Sequence, residues 1–199
     1  MMAHQITDMG QKMQLHISGA GAQAAEGAPT PNEAAKTFSK ANNSYIWEKY
    51  DTMIQIGEKM PAFCAADQFG KDWCNEELVG HKTVIYAYPK DSTPGCTAEA
   101  CDIRDNYERF LAAGYKVFGV SKDSKASHIK FAARYELPFP LLSDPDHALL
   151  EALGAWGEKK LYGKVTLGTI RKTFIFDEDG ICIKIIDKVD TKNASAQIL

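Results

Sequence analysis

The chain has 199 residues and a mass of 22.0 kDa, with 45% apolar, 25% charged and 10% aromatic residues, the balance of a globular protein with room for one domain plus an appendage. A formal net charge of −3 and a pI near 6.0 give no basic footprint for nucleic acid or an anionic membrane. No apolar run approaches the ~18 residues that span a bilayer, and an odd cysteine count of five argues against a closed disulfide framework and for a reducing, cytoplasmic setting.

Residues 1–52 are rich in Ala, Gly, Asn, Gln, Ser and Thr with little apolar periodicity, and read as a flexible N-terminal extension. They carry no basic segment followed by an apolar core, which speaks against a secretory signal. From Met53 to residue 199 the pattern is that of one catalytic-sized domain. Residues 82–88 (KTVIYAY) and Tyr115–Ser121 (YKVFGVS) are β-branched and aromatic runs that predict buried strands. Between them Ile103, Tyr107, Phe110 and Leu111 predict one amphipathic helix ended by Gly114. Strand, helix and strand in about 40 residues make a βαβ unit with parallel strands.

A second helix is expected at about residues 125–135. A third is expected to open at Asp144-Pro145, to carry Leu149, Leu150 and Leu153, and to stop at Gly154. Residues 173–176 and 181–186 flank Asp177-Glu-Asp-Gly180, an antiparallel hairpin signal. The fold class implied is α/β: a central mixed sheet flanked by helices. Active sites in such sheets favour the carboxyl ends of parallel strands, where the segment after Tyr88 lies.

That segment reads YPKDSTPGCTAEAC over residues 88–101. Thr93-Pro94 forms an N-cap and first-position pair for a helix, so Cys96 falls at its third position. A sulfur there faces unpaired backbone N–H groups and the positive end of the helix dipole. Helix starts and nearby cations raise the thiolate fraction of a cysteine, and the thiolate is the nucleophile. Thr93 is placed to hydrogen-bond the sulfur or a bound oxygen, and Pro89 to shield the pocket from water. The bland alternative is that Cys96 is only a small residue at a helix start.

Pro89-x-x-x-Thr93-x-x-Cys96 matches the peroxiredoxin signature, with Cys96 in the peroxidatic position. The chain most resembles the peroxiredoxin Q subclass, also called bacterioferritin comigratory protein, through YPKDSTPGCTAEACDIRDN, LLSDPDH, GAWGEKKLYGK and IRKTFIFDEDG. The resemblance implies a thioredoxin-like fold and a peroxidase that reduces hydrogen peroxide and alkyl hydroperoxides in antioxidant defence and redox homeostasis. It implies roles for Thr93 and Cys96, and for Arg171 as the arginine brought from a later strand. Such a guanidinium would hold a thiolate and orient the peroxide, although Arg171 also reads as a surface charge. Glu99 matches a supporting position, with an exposed first-turn glutamate as the alternative.

The resemblance also implies Cys101 as the resolving thiol, forming a Cys96–Cys101 disulfide that thioredoxin or a similar dithiol reduces. Five residues along a helix advance about 7.5 Å and turn roughly 140°, whereas a disulfide needs Cα atoms within about 7 Å and converging Cβ vectors. The pairing therefore demands unwinding, and the alternative is a Cys101 packed on the core side of its helix. Cys64, Cys74 and Cys182 read as structural. No Cys-x-x-Cys or paired-His spacing points to zinc, so neither a metal nor a cofactor is expected. The resemblance implies a monomer, with a dimer as alternative; nucleic acid and membrane are not expected partners. A thiol–disulfide oxidoreductase is the rival on this fold, but such enzymes carry Cys-x-x-Cys at the helix start.

Overall fold

The computed structural model describes residues 53–161 and 164–199, so the extension expected over residues 1–52 lies outside the described residues. Nine strands and five α-helices are formed among them: β1 (Cys64–Ala66), β2 (Asp72–Cys74), β3 (Lys82–Ala87), α1 (Pro94–Asp105), α2 (Tyr107–Ala112), β4 (Tyr115–Ser121) and α3 (Lys125–Tyr135), followed by β5 (Leu141–Ser143), α4 (Ala148–Ala152), β6 (Trp156–Leu161), β7 (Lys164–Thr169), β8 (Lys172–Phe176), β9 (Cys182–Ile186) and α5 (Ala194–Ile198). Seven strands form one mixed sheet in the order β2-β1-β5-β4-β3-β8-β9, and β6 with β7 makes a separate antiparallel ribbon.

The βαβ expectation holds: β3 runs parallel to β4, with Val84 opposite Val117 and Ala87 opposite Val120. Side chains alternate across the sheet. Val84, Tyr86, Val117, Leu141 and Ile175 pack with Ile103, Phe110 and Phe131 of the helices, and with Ile198 of α5. On the other face Ile85, Ala87, Phe118, Val120, Phe174 and Phe176 pack with Leu149, Leu150 and Leu153. Helices thus cover both faces, as the runs of apolar residues in β3 and β4 require.

Two local expectations are corrected. The helix before β4 is two helices, because Asn106 stands at φ −107°, ψ 10° and its Nδ2 donates to the Asp102 carbonyl at 2.9 Å. The break rotates the second segment, so Phe110 is buried while Leu111 is 48% exposed. α4 opens at Ala148 and not at Asp144-Pro145. Asp144 instead accepts the Leu150 N–H on Oδ2 at 2.8 Å from outside the helix. At the sheet edge β1 and β2 form a hairpin around Asp67-Gln68-Phe69-Gly70, closed by the Asp67 N–H on the Lys71 carbonyl at 2.8 Å.

That hairpin aligns Cys64 opposite Cys74, and the two are joined as a disulfide with a Cα–Cα separation of 4.1 Å. The neighbouring pair is tied by Asn75 N–H on the Phe63 carbonyl at 3.1 Å. Cys64 and Cys74 therefore occupy a non-hydrogen-bonded position, where facing side chains are closest. The odd cysteine count hid this: one pair closes, and Cys96, Cys101 and Cys182 remain free. Among the described residues no helix is long and apolar enough to cross a membrane.

Candidate functional site

β3 ends at Ala87, and the chain turns through residues 88–93 into α1. Thr93 is the N-cap in extended backbone (φ −85°, ψ 151°) and Pro94 the first helical residue, so Cys96 lies in the first turn as its spacing predicts. Its side chain is only 1% exposed and packs with Tyr86, Tyr88 and Ala100. Apolar burial and unpaired helix N–H groups thus converge on one sulfur.

Arg171, just before β8, reaches this sulfur from the strand that neighbours β3 in the sheet. Its Nη2 donates to Cys96 Sγ at 3.1 Å, and its Nη1 donates to Glu99 Oε2. Gly95 lies beside the guanidinium, where a Cβ would stand 3.4 Å from Nη2, in ordinary van der Waals contact. Burial works against the Arg171 charge, but Glu99 and the Cys96 sulfur outweigh it and hold the guanidinium above its ordinary value. Glu99 is fully buried and not an exposed first-turn residue. Burial pushes its carboxyl from 4.5 up to about 7 against the opposing pull of Arg171.

A buried helix-start thiol held by a forked cation fits the thiol chemistry that the sequence points to. The AhpC/TSA family model matches residues 56–185. The chain belongs to the AhpC/TSA family. Among its peroxiredoxin relatives are the peroxiredoxin Bcp of Bacillus subtilis, 42% identical over 146 residues (73% of this chain, 93% of the relative), and that of Escherichia coli, 39% identical over 140 residues (70% and 90%). Its fold is similar to that of Xanthomonas campestris peroxiredoxin Q, with TM-score 0.65, 39% identity and coverage of 68% of this chain and 86% of that one. It is also similar to that of the X. campestris bacterioferritin comigratory protein, a protein with alkyl peroxide reduction activity, at 38% identity, TM-score 0.65 and coverage of 68% and 87%. The chain is accordingly a peroxiredoxin, a thiol peroxidase with a thioredoxin-like fold, and membership implies a peroxide substrate and a thiol reductant.

In this peroxiredoxin the Thr93 hydroxyl makes no cap bond and donates to the Lys90 carbonyl at 3.0 Å. Its proton is engaged, and its lone pairs stay available to a donor. Pro89 is half-buried just after β3. Cys101 is half-buried on the same intact helix as Cys96, while Ala100 and Ile103 hold the core side. Cys182 is buried in β9, and burial pushes its thiol up. Among the described residues no group of His, Cys, Asp or Glu side chains could hold a metal ion.

The sequence reading missed one polar group beneath the site. Tyr88, Asp91 and His128 are all buried and hydrogen-bonded to one another. Its only sequence signal was a histidine one helical turn from Phe131 on the inner face of α3.

Proposed function

We propose that this peroxiredoxin reduces hydrogen peroxide and alkyl hydroperoxides at Cys96, with Cys101 as resolving thiol and thioredoxin or a similar dithiol as reductant. The observation that carries the reading is the Arg171 Nη2 bond to Cys96 Sγ at 3.1 Å in the first turn of α1. The domain responsible is residues 53–199, acting as a monomer. The proposed setting is the cytoplasm, where a dithiol pool renews the enzyme. The alkyl peroxide activity named for the X. campestris relative supports the substrate range.

The Cys96 thiolate attacks one peroxide oxygen in line; the S–O bond forms, the O–O bond breaks, and water or an alcohol leaves after taking a proton. Backbone N–H groups of the first turn and Arg171 stabilise charge on the oxygens in the transition state. Thr93 accepts a hydrogen bond from the protonated peroxide, its own proton being spent on Lys90. Glu99 fixes one arm of the guanidinium so that the other meets the sulfur. Cys96 is then a sulfenic acid, which the Cys101 thiolate attacks to form a disulfide and release water. The dithiol reduces that disulfide by exchange and is itself oxidised.

NADPH-coupled peroxide reduction with thioredoxin and its reductase tests the reading. The native enzyme turns over, Cys96→Ser is inactive, and Cys101→Ser stalls after one cycle unless a small thiol is supplied. Activity surviving in Cys96→Ser would overturn the assignment.

A further inference from the structure

We propose that Asp91 and His128 are positioning residues for the peroxide reaction, anchoring residues 89–93 so that Thr93 and the first turn of α1 present a fixed pocket to the substrate. This rests on the reading of Cys96 as the attacking thiol. The loop needs an anchor: Ser92 stands at φ 57°, left-handed backbone that side-chain-bearing residues hold only when their surroundings impose it.

The surroundings are the residues on either side of Asp91. Its Oδ1 accepts the Tyr88 phenol at 2.8 Å, and its Oδ2 lies 2.9 Å from His128 Nδ1. Its backbone N–H donates to Asp123 Oδ2 at 2.7 Å, and Asp123 is itself held by the Ser121 hydroxyl at 3.1 Å and, through its carbonyl, by the Ser143 hydroxyl at 2.7 Å. The second ring nitrogen of His128 reaches the Leu142 carbonyl at 3.3 Å. One two-residue tether thus ties the loop to α3, β4 and β5.

Burial is the largest influence on the Asp91 carboxyl and pushes it up, but His128, Ser127 and Tyr88 together outweigh it and hold the carboxyl below its usual range. A buried polar pair seldom stabilises a fold more than an apolar pair of the same shape. What it supplies is orientation, because both carboxylate oxygens and both ring nitrogens have directional partners. Neither residue bonds Cys96 or Arg171, so its influence reaches the thiol only through the loop.

The test separates peroxide chemistry from thiolate chemistry in the full-length protein. Alkylation of Cys96 by iodoacetamide needs the thiolate but not the Thr93 pocket. Asp91→Ala is expected to slow the reaction with hydrogen peroxide by roughly 10- to 100-fold, the scale of a small misplacement, while alkylation stays near the native rate. Asp91→Asn can still donate to His128 and accept from Tyr88, and recovers most of the loss. Tyr88→Phe, a milder change, lowers the peroxide rate selectively in the same sense. Unchanged peroxide reactivity in Asp91→Ala, a parallel fall of both rates, or an Asp91→Asn variant as slow as Asp91→Ala would each overturn the proposal. A native protein inert to peroxide but alkylated at Cys96 would instead overturn the peroxidase reading on which it depends.

Discussion

Half-buried Arg171 and fully buried Glu99 form an ion pair across 72 residues of sequence, and the same guanidinium bonds the sulfur three residues before Glu99. A cation shared in this way is aimed by the carboxylate at one end and used by the thiol at the other.

The pair has a pH signature. A carboxyl whose folded value is raised binds its proton more tightly in the folded state, so its contribution to stability is complete below the unfolded value and is lost as pH rises. For Glu99 the loss runs from pH 4.5 through about 7. Denaturant midpoints of the native protein are expected to fall across that window relative to Glu99→Gln. Parallel pH profiles for the two proteins would refute this assignment.

Arg171→Lys keeps the charge but not the fork. A lysine ammonium is a point charge and does not reproduce two diverging bonds of fixed geometry. Loss of one preorganised donor costs about 100- to 1,000-fold in comparable sites, and stopped-flow oxidation by peroxide should slow on that scale. A Lys variant close to the native rate would show that charge alone suffices.

Resolution by Cys101 requires α1 to come apart. Both thiols lie on one continuous helix, Pro94–Asp105, and their spacing forbids a bond while it is intact. Hydrogen exchange over residues 94–105 is expected to accelerate when the protein is oxidised by one equivalent of peroxide. Equal protection in both redox states would sink the Cys96–Cys101 step.

The Cys64–Cys74 disulfide is expected to stabilise without taking part in turnover. It closes a loop of sequence separation 10, for which chain entropy predicts about 2–3 kcal/mol. Its strands β1 and β2 lie beyond β5 and β4 from β3 in the sheet. Cys64→Ser/Cys74→Ser should therefore lower the unfolding free energy while leaving peroxidase rates unchanged. A matching loss of activity would assign the pair to the redox cycle.

Local signals carried much of the reading. β4 and α3 fall on their expected residues, and β3 differs only in ending at Ala87, because alternation, helical periodicity and capping pairs are written into consecutive residues. Thr93-Pro94 marked the helix start and thereby gave Cys96 its environment. The short strands were not legible: Leu141–Ser143 has three residues, too few for any period, and becomes a strand because β4 and β1 pair with it. Asn106 was not legible as a helix break, because the apolar pattern of Ile103, Tyr107 and Phe110 runs through it, although its side chain can compete for the Asp102 carbonyl.

The sequence alone thus determined that a cysteine stands at the start of a helix after a buried strand, because that requires only contacts a few residues apart. Tertiary structure decided what surrounds the thiol. Arg171 comes from 75 residues away, His128 reaches Asp91 across 37, and Cys64 finds Cys74 only through a hairpin register. Such contacts depend on how the sheet orders its strands, a property of the whole chain that no window of neighbouring residues contains.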